Sequence, residues 1–153
     1  MYTEKKEYYD NGNLWYHFKF KNGKKHSIQK YYSNGKLNYH FKFKNGKQHG
    51  DQKYYFDNGK LNYHYKFKNG LKYGDEKHYY DNGKLRYHFN YKNGKKHGIQ
   101  KSYFKNGNLW YHFNYKNGLQ HDDQKYYNRN GKLQYHYKYY NNKQQSIEIE
   151  NEQ

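Results

Sequence analysis

The dipeptide Asn-Gly recurs eleven times, beginning at residues 11, 22, 34, 45, 58, 69, 82, 93, 106, 117 and 130, and Asn141-Asn142 takes the next place. The spacing alternates between 11 and 13 residues, with a single 12 between Asn22 and Asn34. A fixed period of this kind marks a repeat architecture. Asn-Gly between alternating segments is the strongest short-range hairpin signal, because both residues tolerate the positive φ of a tight turn. Two turns per 24-residue unit, 23 once, mean two antiparallel strands per unit. Gly12, Gly23, Gly35, Gly46, Gly59, Gly70, Gly83, Gly94, Gly107, Gly118 and Gly131 are therefore read as structural turn residues.

The strand after each odd-numbered turn, strand A, alternates with period 2 in all six copies. One face of the second copy reads Leu37, Tyr39, Phe41, Phe43, and the last reads Leu133, Tyr135, Tyr137, Tyr139. The opposite face carries His17, His40, His64, His88, His112 or His136, followed by lysine or asparagine. Strand B is less regular, through Lys30-Tyr31-Tyr32, Lys53-Tyr54-Tyr55, Lys77-His78-Tyr79, Lys101-Ser102-Tyr103 and Lys125-Tyr126-Tyr127. Residues 1–10 match the end of a strand B, and the segment from Lys143 matches the start of one. The expectation is all-β: an elongated antiparallel meander of stacked hairpins, thirteen strands in one twisted single-layer sheet. Residues 1–145 form one array, and the acidic segment 146–153, with Ile147-Glu148-Ile149-Glu150, forms a cap or tail.

Two registers for strand B remain open. Two-residue loops put Gly50, Gln52, Tyr54 and Phe56 on the aromatic face; three-residue loops with a bulge put His49, Asp51, Lys53 and Tyr55 there. The first pairs aromatic with aromatic and is preferred. The short spacing near Ser33 predicts a local irregularity.

Composition decides what holds such a sheet. Val, Ala, Pro and Cys are absent, while 25 Tyr, 9 Phe and 2 Trp make the chain 24% aromatic. Aromatic packing must replace an aliphatic core. Without cysteine there is no disulfide, thiolate metal site or cysteine nucleophile. That fits a reducing compartment, and the opening Met1–Lys6 has no apolar core of a secretory signal. The expected location is cytoplasmic, with peripheral membrane attachment as an option.

The run Tyr-x-x-x-Phe-x-Asn-Gly-x-x-x-Gly, at Tyr39 to Gly50 and Tyr63 to Gly74, resembles the MORN repeat. The recurring Tyr-Tyr-x-Asn-Gly-Lys-Leu, as at Tyr79 to Leu85, is closer to the variant MORN subfamily. The resemblance implies a hairpin per repeat, association with phospholipid contact, scaffolding and dimerisation, and for some variant members an antitoxin or immunity role. Two glycines of the standard pattern are replaced. Phe18, Phe41, Tyr65, Phe89, Phe113 and Tyr137 fill one position, and Gln29, Gln52, Glu76, Gln100 and Gln124 fill the other. The lipid behaviour of the standard pattern need not transfer across these changes.

Three chemistries compete for the surface. The aromatic stripe could stack nucleic acid bases, but a single-layer sheet needs it as core. The strand A histidines recur two strands apart, about 9.6 Å, too far to share an ion. In the preferred register His40, His64 and His112 face Asp51, Asp75 and Asp123, and the other three face Ile28, Ile99 and Ile147. No nucleophile is placed beside them, so neither catalysis, metal nor cofactor is expected. Lys53, Lys77, Lys101 and Lys125 neighbour the histidines and favour their neutral form.

The lysines are the more informative feature. Lys19, Lys42, Lys44, Lys66, Lys68, Lys92, Lys116 and Lys138 project from the histidine face, as does Lys21, in a chain of net charge +17. They are the candidate contacts for an anionic partner. With Arg86 and Arg129 the only arginines, sequence-specific nucleic-acid reading is disfavoured. The expected function is a non-enzymatic interaction or scaffold protein presenting a basic, Tyr-rich sheet to a protein partner. The alternatives are peripheral binding to anionic phospholipid and toxin neutralisation. Homodimerisation is one way to cover the aromatic face.

Overall fold

The computed structural model describes residues 1–148, with residues 146–148 as backbone only. The expected acidic cap over 146–153 falls largely outside that range. The strands are β1 (Tyr2–Tyr8), β2 (Leu14–Lys21), β3 (Lys24–Lys25), β4 (Ser27–Ser33), β5 (Lys36–Lys44), β6 (Lys47–Tyr55), β7 (Leu61–Lys68) and β8 (Leu71–Tyr79). They continue as β9 (Leu85–Lys92), β10 (Lys95–Lys96), β11 (Gly98–Tyr103), β12 (Leu109–Lys116), β13 (Leu119–Tyr127), β14 (Leu133–Tyr140) and β15 (Lys143–Glu148). No helix occurs among the described residues.

The chain divides into two compact units at Lys72–Tyr73, near the start of β8. In the first, the hydrogen-bonded order is β1-β2-β4-β5-β6-β7, with β3 paired to β2. In the second it is β8-β9-β11-β12-β13-β14-β15, with β10 paired to β9. Each unit is an open antiparallel meander of stacked hairpins. β3 and β10 are the leading fragments of strands that resume as β4 and β11.

The Asn-Gly turns belong to two classes. Where strand A leads into strand B, both residues carry positive φ, as at Asn45 (50°) and Gly46 (81°). These are two-residue loops whose twist matches the strands. Asn141 (46°) and Asn142 (68°) close the last of them without glycine. Where strand B returns to strand A, the loop has three residues. Gly59 N–H donates to Phe56 O (2.8 Å), Phe56 N–H donates to Lys60 O (2.8 Å), and Gly59 takes φ 81°. Asn58 Oδ1 accepts from Lys60 N–H at 3.0 Å, pinning the loop. The short repeat is the exception. Asn34 (49°) and Gly35 (72°) both have positive φ, and Ser33 pairs with Lys36. The missing residue has turned a three-residue loop into a two-residue one.

The preferred register holds through the strand centres. Gly50, Gln52 and Tyr54 pair with Phe67, Tyr65 and Tyr63. It fails at Phe56, because the ladder shifts after Tyr54 and Tyr55 pairs with Leu61, leaving Asn62 as the extra residue. The same shift follows Tyr31, Ser102 and Tyr126. A one-residue bulge on strand A, present beside the two-residue loop at Asn34-Gly35 as well as beside the three-residue loops, sets the aromatics of the two strands on one face.

A second irregularity falls in every complete strand B. On β5–β6 the pair Phe41–Gln52 is followed by Phe43–Gln48, so His49, Gly50 and Asp51 oppose Lys42 alone. The bulge needs a residue with positive φ: Ser27 (63°), Gly50 (78°), Gly74 (68°), Gly98 (72°) or Asp122 (57°). At Gly50 space adds to conformation, since a Cβ there would lie 3.1 Å from Lys42 Cδ. The bulge breaks the ladder and orphans backbone groups. Gln29 repairs it: its Nε2 donates to Lys19 O (2.7 Å) and His26 O (2.9 Å), and its Oε1 accepts from Lys19 N–H (3.1 Å). Gln100 does the same around Asn90, His97 and Gly98. Gln52 and Gln124 donate to the corresponding carbonyls, with Oε1 left unpartnered. These glutamines are at most 1% exposed. Buried polar groups are held where backbone partners satisfy them, which gives the glutamines at the family's second glycine position a structural role. At Glu76 a carboxylate replaces the amide, and His78 Nε2 lies 2.6 Å from its Oε1.

The core is the aromatic face. Tyr16, Tyr31, Tyr39, Tyr54 and Tyr63 form a row, one per strand, with successive centroids 6.1, 4.8, 5.5 and 6.0 Å apart. Tyr39 stacks on Phe41 at 4.5 Å and Tyr111 on Phe113 at 4.5 Å. Most of these rings are half-buried, and Tyr16 is the one hydrophobic residue in the fully buried class among those described.

Candidate functional site

The opposite face is organised around one cross-strand row in each unit. In the first unit Lys6, His17, Lys30, His40, Lys53 and His64 pair successively across six strands. In the second, Lys77, His88, Lys101, His112, Lys125 and His136 do the same. The rows arise because each strand B places its lysine opposite the histidine of both flanking strands A. With strands about 4.8 Å apart, the lysines of a row recur at about 9.6 Å.

Carboxylates beside these rows are spoken for. Nε2 of His17 lies 3.0 Å from Glu4 Oε2, His64 2.7 Å from Asp51 Oδ1, His88 2.8 Å from Asp75 Oδ1 and His136 2.7 Å from Asp123 Oδ1. The expected partners are corrected here. Each acid serves the histidine of the following strand A, not the preceding one. The reason is the strand B bulge, which interrupts pairing with the preceding strand and leaves the ladder to the following strand continuous, with Asp51 opposite Lys66. The histidines lacking an acid are His40 and His112, for which Ile28 and Ile99 hold the corresponding positions. The side chain of Ile147 lies outside the described residues.

The surroundings set the charge states. Burial, then Lys53 and Lys30, push the His40 imidazole below its ordinary value, with Asp51 opposing. Burial, then Lys101 and Lys125, do the same at His112. The expected influence of the lysines is present there, second to desolvation. Hydrogen bonding to His64 and His136 holds Asp51 and Asp123 below the usual carboxylate range. On the other face, burial pushes Tyr39, Tyr91 and Tyr111 up to about 12.

The sequence-derived lysines fall into three environments. Lys19 is tied to Glu4 at 3.1 Å. Lys66 and Lys138 sit opposite Asp51 and Asp123. Lys42 lies opposite Ile28, Lys44 opposite Lys47, Lys92 opposite Lys95 and Lys116 opposite Leu119, all four exposed. Lys68 is also exposed. Lys30, Lys53, Lys77, Lys101 and Lys125 of the rows lie on the same face and are half-buried. Their constant place two residues before the strand B aromatic position was the available signal.

The aromatic face is poorly suited to base stacking. Its rings pack on one another, some stacked and some edge-to-face, and Lys25 Nζ sits over Phe18 (4.8 Å) and Phe43 (5.5 Å), as Lys96 does over Phe89 (4.8 Å) and Tyr115 (5.3 Å). No group of three or more metal-ligating side chains occurs among the described residues.

A family model described as MORN repeat variant matches residues 3–22, 48–69, 72–93 and 96–117. Each match covers a strand B, its three-residue loop and the following strand A. The segment 23–47, with the shortened loop, lies between matches. No individual curated protein matches the chain. MORN repeats are generally associated with protein or membrane interaction and typically serve as non-enzymatic binding or scaffold modules. With the matches covering more than half of its residues, and hairpins of the same phase in both units, the chain belongs to the MORN repeat family, in its variant subfamily.

Proposed function

We propose that this chain is a non-enzymatic interaction module that docks an anionic partner on its lysine–histidine face. The supporting observation is charge imbalance on that face. Its rows of lysine alternate with histidine, and the nearby carboxylates Glu4, Asp51, Asp75 and Asp123 already contact histidines. Exposed Lys42, Lys44, Lys92 and Lys116 add positive charge. A surface of one sign concentrates its counter-charged partner and speeds encounter.

Peripheral attachment to anionic phospholipid from the cytoplasm is the second reading. It is favoured by the exposure of several lysines on one face of a sheet, each contributing about 1 kcal/mol near such a surface. Co-sedimentation with anionic and neutral vesicles, at low and near-physiological salt, separates the two. Retention on anionic vesicles at physiological salt supports the lipid reading. Loss above low salt directs the search to protein partners. The triple variant K42E/K66E/K92E should lose anionic binding while keeping its circular dichroism spectrum. Undiminished binding by a folded triple variant would overturn the assignment of this face.

A further inference from the structure

Four of the six strand A histidines have their Nε2 beside an internal carboxylate, one strand away. The carboxylate always comes from one position of strand B. Glu4 pairs there with Lys19, Asp51 with Lys66, Asp75 with Asn90 and Asp123 with Lys138. In the two remaining repeats that position is Ile28, paired with Lys42, and Ile99, paired with Asn114. The histidine they would have served is flanked by two lysines in both cases: His40 by Lys30 and Lys53, His112 by Lys101 and Lys125. Nε2 of His112 is buried and has no hydrogen-bond partner. A buried nitrogen of this kind is a standing penalty that an incoming oxygen removes.

We propose that His40 in the first unit and His112 in the second are receptor positions for a carboxylate of an acidic protein segment, which supplies in trans the oxygen that Glu4, Asp51, Asp75 and Asp123 supply in cis. The proposal rests on the assignment of the lysine–histidine face as the binding face and names its partner. The fold already uses a carboxylate at this place in four repeats, so the geometry suits that group. Ile99, 42% exposed, gives the neighbouring contact an apolar character that suits a peptide side chain better than a lipid headgroup. The charged groups around each site agree. His40 meets Lys30 from β4, Lys53 and Asp51 from β6 and Lys42 from its own strand. His112 meets Lys101 from β11 and Lys125 and Asp123 from β13. Asp51 and Asp123 are engaged with the next histidine, so the lysines dominate. The lysines paired beside each imidazole have long side chains that can move to admit the ligand. Bound carboxylate favours imidazolium, so binding strengthens as pH falls through the histidine range.

The test uses the full chain and a synthetic peptide of alternating glutamate and leucine, with its glutamine counterpart as control. Calorimetry gives affinity, and nitrogen-15 spectra of the imidazoles report each histidine. The expected result is binding of the glutamate peptide alone, with the His40 and His112 resonances moving while the other four hold. I28D/I99D places an internal acid in both positions and should weaken binding about tenfold or more and silence both responses. Because four repeats already carry an acid there, the variant should fold. H40L/H112L gives a second route to the same loss. Equal movement of all six histidines, or full affinity in I28D/I99D, overturns the receptor positions and leaves the binding face standing. Full affinity in K42E/K66E/K92E overturns the face as well. Vesicles of phosphatidylserine moving these two histidines, with no response to peptide, overturn the acidic segment as ligand, as does the absence of any binding at low salt.

Discussion

Asp51 and His64 stand on neighbouring strands, thirteen residues apart, with Oδ1 2.7 Å from Nε2. The contact depends on the bulge at His49, Gly50 and Asp51, where β6 loses step with β5. Gly50, with φ 78°, lets β6 slip past β5 and keep step with β7. The same arrangement places Asp75 against His88 and Asp123 against His136.

Replacing Asp51 with asparagine should alter the acid limb of stability. The folded carboxyl is held below its ordinary value of 3.8 by the His64 hydrogen bond. Its contribution is therefore present above about pH 4 and lost as pH falls through the lower folded value. D51N should be slightly less stable than the parent near neutrality, by about 1 kcal/mol or less because the side chain is half-exposed. The gap should close toward pH 2. Urea unfolding across that range reads it, and a gap that widens in acid would contradict the sign.

Gln100→Leu should be far more damaging than its size suggests. The side chain is 1% exposed and binds Asn90 N–H, Asn90 O and Gly98 O. Leucine keeps the volume and abandons these groups in a buried gap. A loss of about 2–4 kcal/mol is expected in chemical denaturation. A loss below 1 kcal/mol would mean that water reaches the bulge and substitutes for the amide.

Loop length can be tested by deletion. Removing Asp57 reproduces, in the next repeat, the two-residue loop that Asn34-Gly35 already makes. The chain should fold with a change of about 1 kcal/mol or less. Removing Lys53 instead shifts Tyr54 off the face it shares with Tyr39 and Tyr63. A one-residue slip exchanges the two faces of a strand, so that deletion should not give a soluble folded product. Size exclusion and circular dichroism distinguish the two.

Tyr111→Phe should protect against alkali. Burial first, then the neighbouring tyrosines, raises the Tyr111 hydroxyl from 10.0 to about 12. A raised folded value means stability that is complete below pH 10 and lost as pH climbs toward 12. The variant lacks this loss, so its stability relative to the parent should improve over that interval. Ultraviolet absorbance titration should show one fewer late-ionising tyrosine.

Much of the architecture can be read locally. The period-2 alternation of Leu37, Tyr39, Phe41 and Phe43 specifies a strand with one aromatic face, and Asn45-Gly46 specifies the turn that follows. Alternation and turn chemistry act over a few residues, so a single sequence exposes them. The repeat then multiplies the same inference six times. Lys42, Lys66 and their counterparts could be placed opposite the aromatics for the same reason.

The partner of each histidine could not be read that way. Alternation with two-residue loops sets Asp51 opposite His40, whereas the structure sets it beside His64. The choice is made by His49-Gly50-Asp51 bulging against Lys42, and by Gln52 closing the gap with its amide. The sequence by itself determined strands, turns and the two chemically distinct faces, because those follow from side-chain period and local φ preference. Only the tertiary structure decided the phase of the bulges, the burial of Gln29, Gln52, Gln100 and Gln124, and the histidines left without an acid, because each depends on hydrogen bonding to both neighbouring strands at once.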